Sequence, residues 1–300
     1  MAITAAMVKE LRERTQAGMM DCKKALNEVN GDMEKAIEYL RENGLAKAAK
    51  KADRVAAEGL VKEAISADGK TAAIVEINSE TDFVAKNEQF VTFVNEVAEI
   101  VLNNEVADVE ALKAIAWPND ASKTVGDVLT EKVATIGENL TIRRFAKIST
   151  EGTLASYTHG GGKIVAVVEV AAEGEKAHEV GRNVAMQVAA VNPEFVSTDE
   201  VPEEKKAHEK EILMHQAINE NPGKPENIIE KMVEGRLNKN LKEICLVDQE
   251  FIKDPDLTVA KYLGNGKVLD MVRFQVGEGI EKREDNFAEE VAAQAAAANK

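Results

Sequence analysis

The residues best suited to binding chemistry are Thr81, Asp82, Phe83 and Val84, which lie between a predicted strand and a predicted helix. An acidic residue before a helix can cap its free N–H groups, and Phe83 could then fold under the helix as a hydrophobic staple. If Phe83 is exposed instead, an apolar side chain beside a carboxylate forms a wedge that can enter a partner's pocket and disturb an ion or phosphate site there. The residues alone leave both interpretations open.

A run of three glycines, residues 160–162, follows His159 and precedes Lys163. In phosphate-binding loops, backbone N–H groups of such glycines cradle phosphates and a lysine reaches them. The next residue here is Ile164, where that motif requires a magnesium-binding Ser or Thr. We therefore predict a hairpin turn that holds His159 out to solvent.

The sequence contains no pattern typical of an enzyme or a metal centre. Its four histidines share no metal-ligand spacing, and no Ser or Cys has the context of a catalytic nucleophile. Cys22 and Cys245 lie far apart, so we expect packed thiols and no disulfide. The sequence predicts a protein without catalytic chemistry of its own and without a cofactor.

Composition and charge narrow the classes of partner. The chain has 300 residues, 44% of them hydrophobic and 30% charged, which is typical of a globular protein of about two domains. Its 38 basic and 53 acidic residues give a net charge of −15, which opposes binding to free nucleic acid. No apolar run approaches the roughly 18 residues of a membrane span. We expect a cytoplasmic protein that binds neither nucleic acid nor a membrane directly.

Three short helices are predicted at the start of the chain. Apolar residues recur at helical spacing in three runs that begin near residues 3, 21 and 33. Asn-Gly pairs at residues 30–31 and 43–44 are typical of helix ends, and Asp32 can cap the third helix. We predict a compact helical module followed by a linker in residues 45–55.

Residues 60–148 and 154–276 share one order of predicted elements. Each copy has a hairpin ending in Val-Glu-Ile or Val-Glu-Val, an amphipathic helix, the pattern Thr-Val-x-x-x-Leu, and a closing strand that contains Arg-Phe. A hairpin and one strand cannot bury an apolar face alone. We therefore predict an α+β fold of two duplicated subdomains, each a three-stranded antiparallel sheet with helices on one side.

The second copy is longer because it contains an insertion. Apolar residues at helical spacing fill residues 200–241, with a break at the Pro-Gly-Lys-Pro segment around Gly223, which predicts a projecting helical hairpin. An Ala-rich tail predicts a terminal helix. The predicted domains are the helical module with its linker (residues 1–55), the first core subdomain (56–150), the second with its insertion (151–277) and a C-terminal helical module (278–300).

Seven motifs resemble those of the bacterial elongation factor Ts family and occur in that family's order. They are distributed over most of the chain. The motifs are KELRERTQAGMMDCKKAL (9–26), INSETDFVAKN (77–87), IGENLTIRR (136–144), SYTHGGGK (156–163), PEFV (193–196), KMVEGR (231–236) and RFQVGEGIEK (273–282).

This resemblance implies both a fold and a function. Members of the family are guanine nucleotide exchange factors for elongation factor Tu and release its GDP during translation elongation. They combine a three-helix, ubiquitin-associated-like (UBA-like) module, two related core subdomains, an inserted helical hairpin and a C-terminal module. The alternative is a UBA-like adaptor whose core binds another protein without promoting exchange. Self-association through the hairpin is left open.

The resemblance also implies contact residues. In the family, the segment that matches Thr81, Asp82, Phe83 and Val84 enters the G domain of elongation factor Tu near its Mg²⁺ ion. Displacing that ion removes the charge that neutralises the phosphates of GDP. Lys23, on the helical module, matches a basic surface that forms a second contact. Further implied contact residues are Ile136, Gly137 and His159.

Overall fold

The computed structural model describes residues 3–15, 17–172 and 176–281. These residues form a group of N-terminal helices, two three-stranded antiparallel sheets with their own helices, and a long helical hairpin. The predicted α+β class and the two three-stranded sheets are confirmed. Most of the C-terminal helical module predicted for residues 278–300 lies outside the described residues.

The N-terminal helices are α1 (Ala5–Thr15), α2 (Met19–Glu28) and α3 (Met33–Ala49). They enclose a small core of their own that includes Leu11 and Leu26, both fully buried. Asp32 caps α3 by accepting a hydrogen bond from the backbone N–H of Lys35 at 3.1 Å, and this bond lowers the pKa of the Asp32 carboxyl. The cap predicted for the third helix is therefore confirmed.

The first sheet has the strand order β1-β2-β5, and helix α4 covers one of its faces. The phenylalanines and valines of α4 pack on Val75 and Ile77 of β2. The elements of this subdomain are β1 (Glu58–Ile65), β2 (Thr71–Ser79), α4 (Glu88–Asn103), α5 (Val109–Lys113), β3 (Ala116–Trp117), β4 (Asp120–Thr124), α6 (Val125–Ile136) and β5 (Leu140–Ser149).

The second subdomain repeats this topology with the strand order β10-β7-β6. Its first hairpin, its long helix and its closing strand occupy the positions of β1, β2, α4 and β5, as the sequence repeat predicts. The elements are β6 (Thr153–His159), β7 (Ile164–Ala171), α7 (Ala177–Val191), α8 (Glu203–Glu220), α9 (Glu226–Ile244), β8 (Glu250–Phe251), β9 (Asp254–Thr258), α10 (Val259–Leu263) and β10 (Lys267–Gln275).

The repeat includes two small hairpins that the sequence reading missed. In β3–β4 Trp117 pairs with Asp120, and in β8–β9 Phe251 pairs with Asp254. Each hairpin buries its aromatic residue and leads into a helix that is capped by a threonine, at α6 and α10. The first strand of each hairpin has only two residues, too few to give a period-2 pattern, so the sequence does not reveal the pairing.

The two sheets pack face to face through a shared apolar cluster. Ala72 and Ile74 of β2 contact this cluster together with Val165 and Val167 of β7. Alternate residues of β2 point instead toward α4, so both faces of β2 are buried. The layers are therefore helix, sheet, sheet and helix.

Helix α3 ends later than predicted. The Asn-Gly pair at residues 43–44 does not stop it, so the predicted linker is wrong for residues 45–49. Gly44 is buried at α6, where a Cβ added to this glycine would lie 3.4 Å from the Cβ of Ala134. Arg41 also pairs with Asp127 of α6 at 3.0 Å. This packing outweighs the roughly 1 kcal/mol cost of glycine inside a helix.

The predicted helical hairpin is present as α8 and α9. Gly223 lies in the turn between them with φ of +89°, a conformation that glycine adopts without strain. At the base, the N–H groups of Glu194 and Phe195 both donate to the carbonyl of Ile244, at 2.9 and 3.2 Å. These two bonds hold the ends of the insertion together, whatever the number of residues between them.

A buried carboxylate joins the two subdomains. Glu76 of β2 is 0% exposed and accepts hydrogen bonds from Arg143 at 3.0 Å and Arg144 at 2.6 Å. It also accepts the backbone N–H of Gly277, just beyond β10, at 2.8 Å. Arg144 lies over the ring of Phe274 at 4.2 Å from the centroid. Through Glu76, the first sheet fixes the segment that follows β10 of the second sheet.

Replacing Glu76 with Ala should lower the free energy of unfolding by about 3–5 kcal/mol, because two arginines lose one of their acceptors and a buried N–H loses its acceptor. Glu169 provides a matched control, since it occupies the same repeat position on β7 but is only half-buried. We expect Glu169→Ala to cost about 1 kcal/mol. Chemical denaturation measures both variants, and equal losses would contradict the role given to Glu76.

Removing the hairpin should leave the second sheet folded. Its inner contacts, Leu213 and Ala217 against Ile229 and Val233, lie within the hairpin. We expect a chain in which a short Gly-Ser bridge replaces residues 206–239 to unfold in one cooperative transition with β7 and β10 protected from hydrogen exchange. Loss of that protection would show that the sheet depends on the insertion.

Candidate functional site

The side chain of Phe83 projects from the surface between β2 and α4. It is 79% exposed, whereas Val84 next to it is only 7% exposed and packs in the first core cluster. A short 3₁₀ turn, Val84–Lys86, follows Phe83 and connects it to α4. The backbone at Phe83 is thus anchored on its C-terminal side while the ring points into solvent.

The cap and staple interpretation of this segment is wrong. Asn87 caps α4, since its side-chain oxygen accepts from the N–H groups of Gln89 at 2.9 Å and Phe90 at 3.3 Å. Asp82 lies before the 3₁₀ turn and forms an exposed ion pair with Lys86 at 3.5 Å. Helix α4 begins at Glu88, directly after Asn87 and six residues beyond Asp82, so Asp82 lies too far away to cap it.

Four residues hold the N-terminal side of the segment, and we name them the carboxylate clasp: Glu80, Thr81, Glu138 and Asn139. Glu138 accepts the N–H of Thr81 at 2.9 Å and its hydroxyl at 2.6 Å. In return, Glu80 accepts the N–H of Asn139 at 2.6 Å. Each of the two chain segments therefore donates a backbone N–H to a carboxylate of the other.

The carboxylate clasp brings Ile136 and Gly137 to the Phe83 segment. Ile136 is the last residue of α6, and Gly137 caps that helix with φ of +90°, which favours glycine. Glu138 follows directly. The structure thus places these two predicted contact residues beside Thr81, although they are far from it in the sequence.

Cationic side chains from the residues that follow α3 lie at the same place. Arg54 approaches the carboxylate of Glu80 at 3.4 Å, and the side-chain amide of Asn139 donates to the carbonyl of Arg54 at 2.8 Å. Lys51 lies near Gly137. Burial, followed by the nearby charge of Arg54, lowers the pKa of the Lys51 ammonium. The site therefore combines one exposed aromatic ring with mixed charges.

His159 lies on a different turn, and this turn packs against the first strand. The exposed imidazole is 3.2 Å from the hydroxyl of Tyr157. The carbonyl of Gly162 accepts the N–H of Val61 at 2.8 Å, and the Gly162 N–H donates to the carbonyl of His159. Lys163 pairs with Glu58 at 2.6 Å. These internal partners fit the predicted hairpin turn.

Lys23 belongs to a second exposed surface, on α2. This helix begins at Met19, two residues before the predicted start, and leaves Met19 58% and Met20 74% exposed. The two methionines lie three and four residues before Lys23 and so share its face of the helix. Their exposure was not predicted from the sequence, although two adjacent methionines at a helix start were the available signal.

Residues 3–15, 17–172 and 176–281 show no sign of a metal centre, a membrane-spanning helix or a disulfide. Within these ranges no cluster of His, Cys, Asp and Glu could hold a metal ion, and no helix is long and apolar enough to cross a membrane. Cys22 and Cys245 are both buried, and burial raises the pKa of each thiol. They are packed thiols, as predicted.

The fold and the site together define an α+β protein with an exposed aromatic side chain between a strand and a helix. Residues 80–278 match the family model described as Elongation factor TS. The chain is also similar to the elongation factor Ts of Clostridioides difficile (strain 630), with 57% identity over 97% of this chain and 98% of that protein. It therefore belongs to the elongation factor Ts family of translation elongation factors, which confirms the resemblance carried by its motifs.

Replacing Phe83 with Ala should change the free energy of unfolding by less than about 0.5 kcal/mol, because the ring is exposed. The matched control is its neighbour, since truncating buried Val84 to Ala should cost about 1–3 kcal/mol. Denaturant titration measures both. A large loss for Phe83→Ala would mean that the ring packs internally in solution.

Proposed function

We propose that this chain is the guanine nucleotide exchange factor for elongation factor Tu and that residues 81–84 promote GDP release by disturbing the partner's Mg²⁺ site. The observation that carries the proposal is the exposed ring of Phe83, held between a buried Val84 and the carboxylate clasp. Family membership supports the identity of the partner. The activity would place the protein in the cytoplasm, where translation occurs.

Exchange of this kind requires binding and no covalent chemistry. If the factor binds nucleotide-free elongation factor Tu more tightly than the GDP-bound form, linkage requires that it lower the affinity for GDP by the same ratio. The factor therefore accelerates release by shifting a population, and we assign it no enzymatic step. Both the GDP-bound and the nucleotide-free forms of elongation factor Tu are its partners in this cycle.

Each residue of the segment has a distinct part in the proposed step. The Phe83 ring would occupy an apolar pocket of the G domain and displace the elements that hold the Mg²⁺ ion. Asp82, half-exposed beside it, would bring a negative charge to that region. Removing the ion leaves the phosphates of GDP without their main counter-charge, so GDP leaves faster. Thr81 and Val84 would fix the segment from either side.

The remaining predicted contacts would raise the affinity for elongation factor Tu and orient the exchange factor on its G domain. Lys23, with the exposed Met19 and Met20, offers an apolar patch with one charge for a second contact on the G domain. Ile136 and Gly137 would contact the partner beside Phe83, and His159 would do so from the turn that packs on β1. We also retain the domain boundaries 1–55, 56–150, 151–277 and 278–300 as part of this proposal, with residues 45–49 reassigned to α3.

The alternative, a UBA-like adaptor without exchange activity, differs in one measurable property. An adaptor would bind elongation factor Tu or another protein without changing the rate at which GDP dissociates. Mixing the chain with elongation factor Tu that carries fluorescent GDP distinguishes the two. Faster release supports the exchange factor, and an unchanged rate supports the adaptor.

Phe83→Ala and Asp82→Ala should each slow GDP release at millimolar Mg²⁺, because the proposed disturbance of the ion site is weakened. Stopped-flow release of fluorescent GDP measures the rate. Ile252→Ala is the control, since this side chain is also exposed but lies on the β8–β9 hairpin, to which no contact is assigned. We expect Ile252→Ala to release GDP at the parental rate.

Chelation of Mg²⁺ provides a second arm of the same experiment. Once EDTA has removed the ion, the step assigned to Phe83 and Asp82 has already occurred, so the variants should approach the parental rate. Parental rates for both variants at millimolar Mg²⁺ would rule out the mechanism. Defects that persist undiminished in EDTA would show that the two residues act on GDP release by a route other than the ion.

A further inference from the structure

The orientation of Phe83 depends on residues that are distant in sequence. The ring itself is exposed, so its direction is set by the backbone on either side of it. On the C-terminal side the buried Val84 and the Asn87 cap fix the chain. On the N-terminal side Thr81 donates both its N–H and its hydroxyl to Glu138, and its carbonyl accepts the hydroxyl of Ser79 at 3.0 Å.

Glu138 is suited to holding the loop, because both of its carboxylate oxygens accept hydrogen bonds from Thr81. One carboxylate oxygen accepts the Thr81 hydroxyl at 2.6 Å, and the other accepts the Thr81 N–H at 2.9 Å. Hydrogen bonds to an ionised acceptor are about twice as strong as bonds between neutral groups. Both oxygens of Glu138 are thus engaged by the same residue of the loop.

We propose that Glu138 is a positioning residue for GDP exchange, which holds Thr81 so that Phe83 is already oriented before the partner binds. Without this contact, residues 80–83 would have to become ordered as Phe83 enters the partner. The conformational entropy lost in that ordering would raise the free energy of the insertion step. This role rests on the proposed function, because it concerns how the Phe83 ring is presented. Glu138 acts through Phe83 and does not touch the partner.

The reciprocal half of the carboxylate clasp supports this assignment. Glu80 accepts the N–H of Asn139, so residues 138–139 are themselves fixed where Glu138 meets Thr81. Asn139 in turn donates its side-chain amide to the carbonyl of Arg54 at 2.8 Å. The acceptor that orients Phe83 is thus held by the first subdomain and by the chain that follows α3.

The test compares Glu138→Ala and the isosteric Glu138→Gln in the full chain. Stopped-flow release of fluorescent GDP from elongation factor Tu is followed over a range of exchange-factor concentrations. We expect Glu138→Ala to lower the maximal rate about tenfold, with Glu138→Gln intermediate and the half-saturating concentration changed less than about twofold. Glu99→Ala, an exposed glutamate on α4, controls for the loss of one negative charge and should match the parent.

A double-mutant cycle separates positioning from direct contact. If Glu138 acts only through Phe83, adding Glu138→Ala to Phe83→Ala should slow release by less than about twofold more. Hydrogen exchange should also show that the Thr81 amide loses protection in Glu138→Ala while the amides of α4 keep theirs. If Glu138→Ala does not fold, as judged by its melting transition, Glu138→Gln carries the same comparisons.

The possible failures are distinguishable. Parental release by Glu138→Ala, or effects that multiply in the double variant, would overturn the positioning role while leaving Phe83 as the wedge. A raised half-saturating concentration at an unchanged maximal rate would overturn it as well, by indicating direct docking. A parental rate for Phe83→Ala would overturn the proposed disturbance of the Mg²⁺ site by residues 81–84, and the positioning role with it.

Discussion

The contact on which this architecture depends is a carboxylate without access to water. Glu76 lies on β2, the strand with both faces buried, and its oxygens receive Arg143, Arg144 and the N–H of Gly277. A buried charge is tolerated only when hydrogen bonds and counter-charges replace water. This requirement fixes the end of the second subdomain against the centre of the first sheet. It makes the pairing of the two sheets specific, since apolar contact alone has little directionality.

The same strand connects that anchor to the contact site. From Glu76 the chain continues to Ser79, the end of β2, and then enters the carboxylate clasp. The exposed Phe83 therefore lies four residues beyond the end of a strand that is buried on both faces. A flexible loop could expose the same ring, but it would have to be ordered again at each encounter with a partner.

Much of this fold could be predicted from the sequence, because the repeat and the helical and strand periodicities are local signals. The predicted end of α3 was wrong because Gly44, a helix breaker by propensity, is buried against α6, and this tertiary contact outweighs the local preference. The site was predictable in part. The Phe83 segment stood out by composition, but the staple alternative could be dismissed only once Asn87 was seen to cap α4. Glu138 was hidden because its partner Thr81 is 57 residues away.

The continuous helix α3 has a mechanical consequence. Its first half belongs to the N-terminal module and its second half packs on α6. A continuous helix therefore forms most of the connection between the module and the core. When a continuous helix joins two binding surfaces, the distance between them is fixed. The effective concentration of the second contact then depends on that distance and not on the many conformations of a flexible linker. Inserting one residue into α3 would turn the module by about 100° about the helix axis and shift it by about 1.5 Å. If both surfaces contact one partner, as proposed, the register of this helix determines avidity as much as the surfaces that it separates.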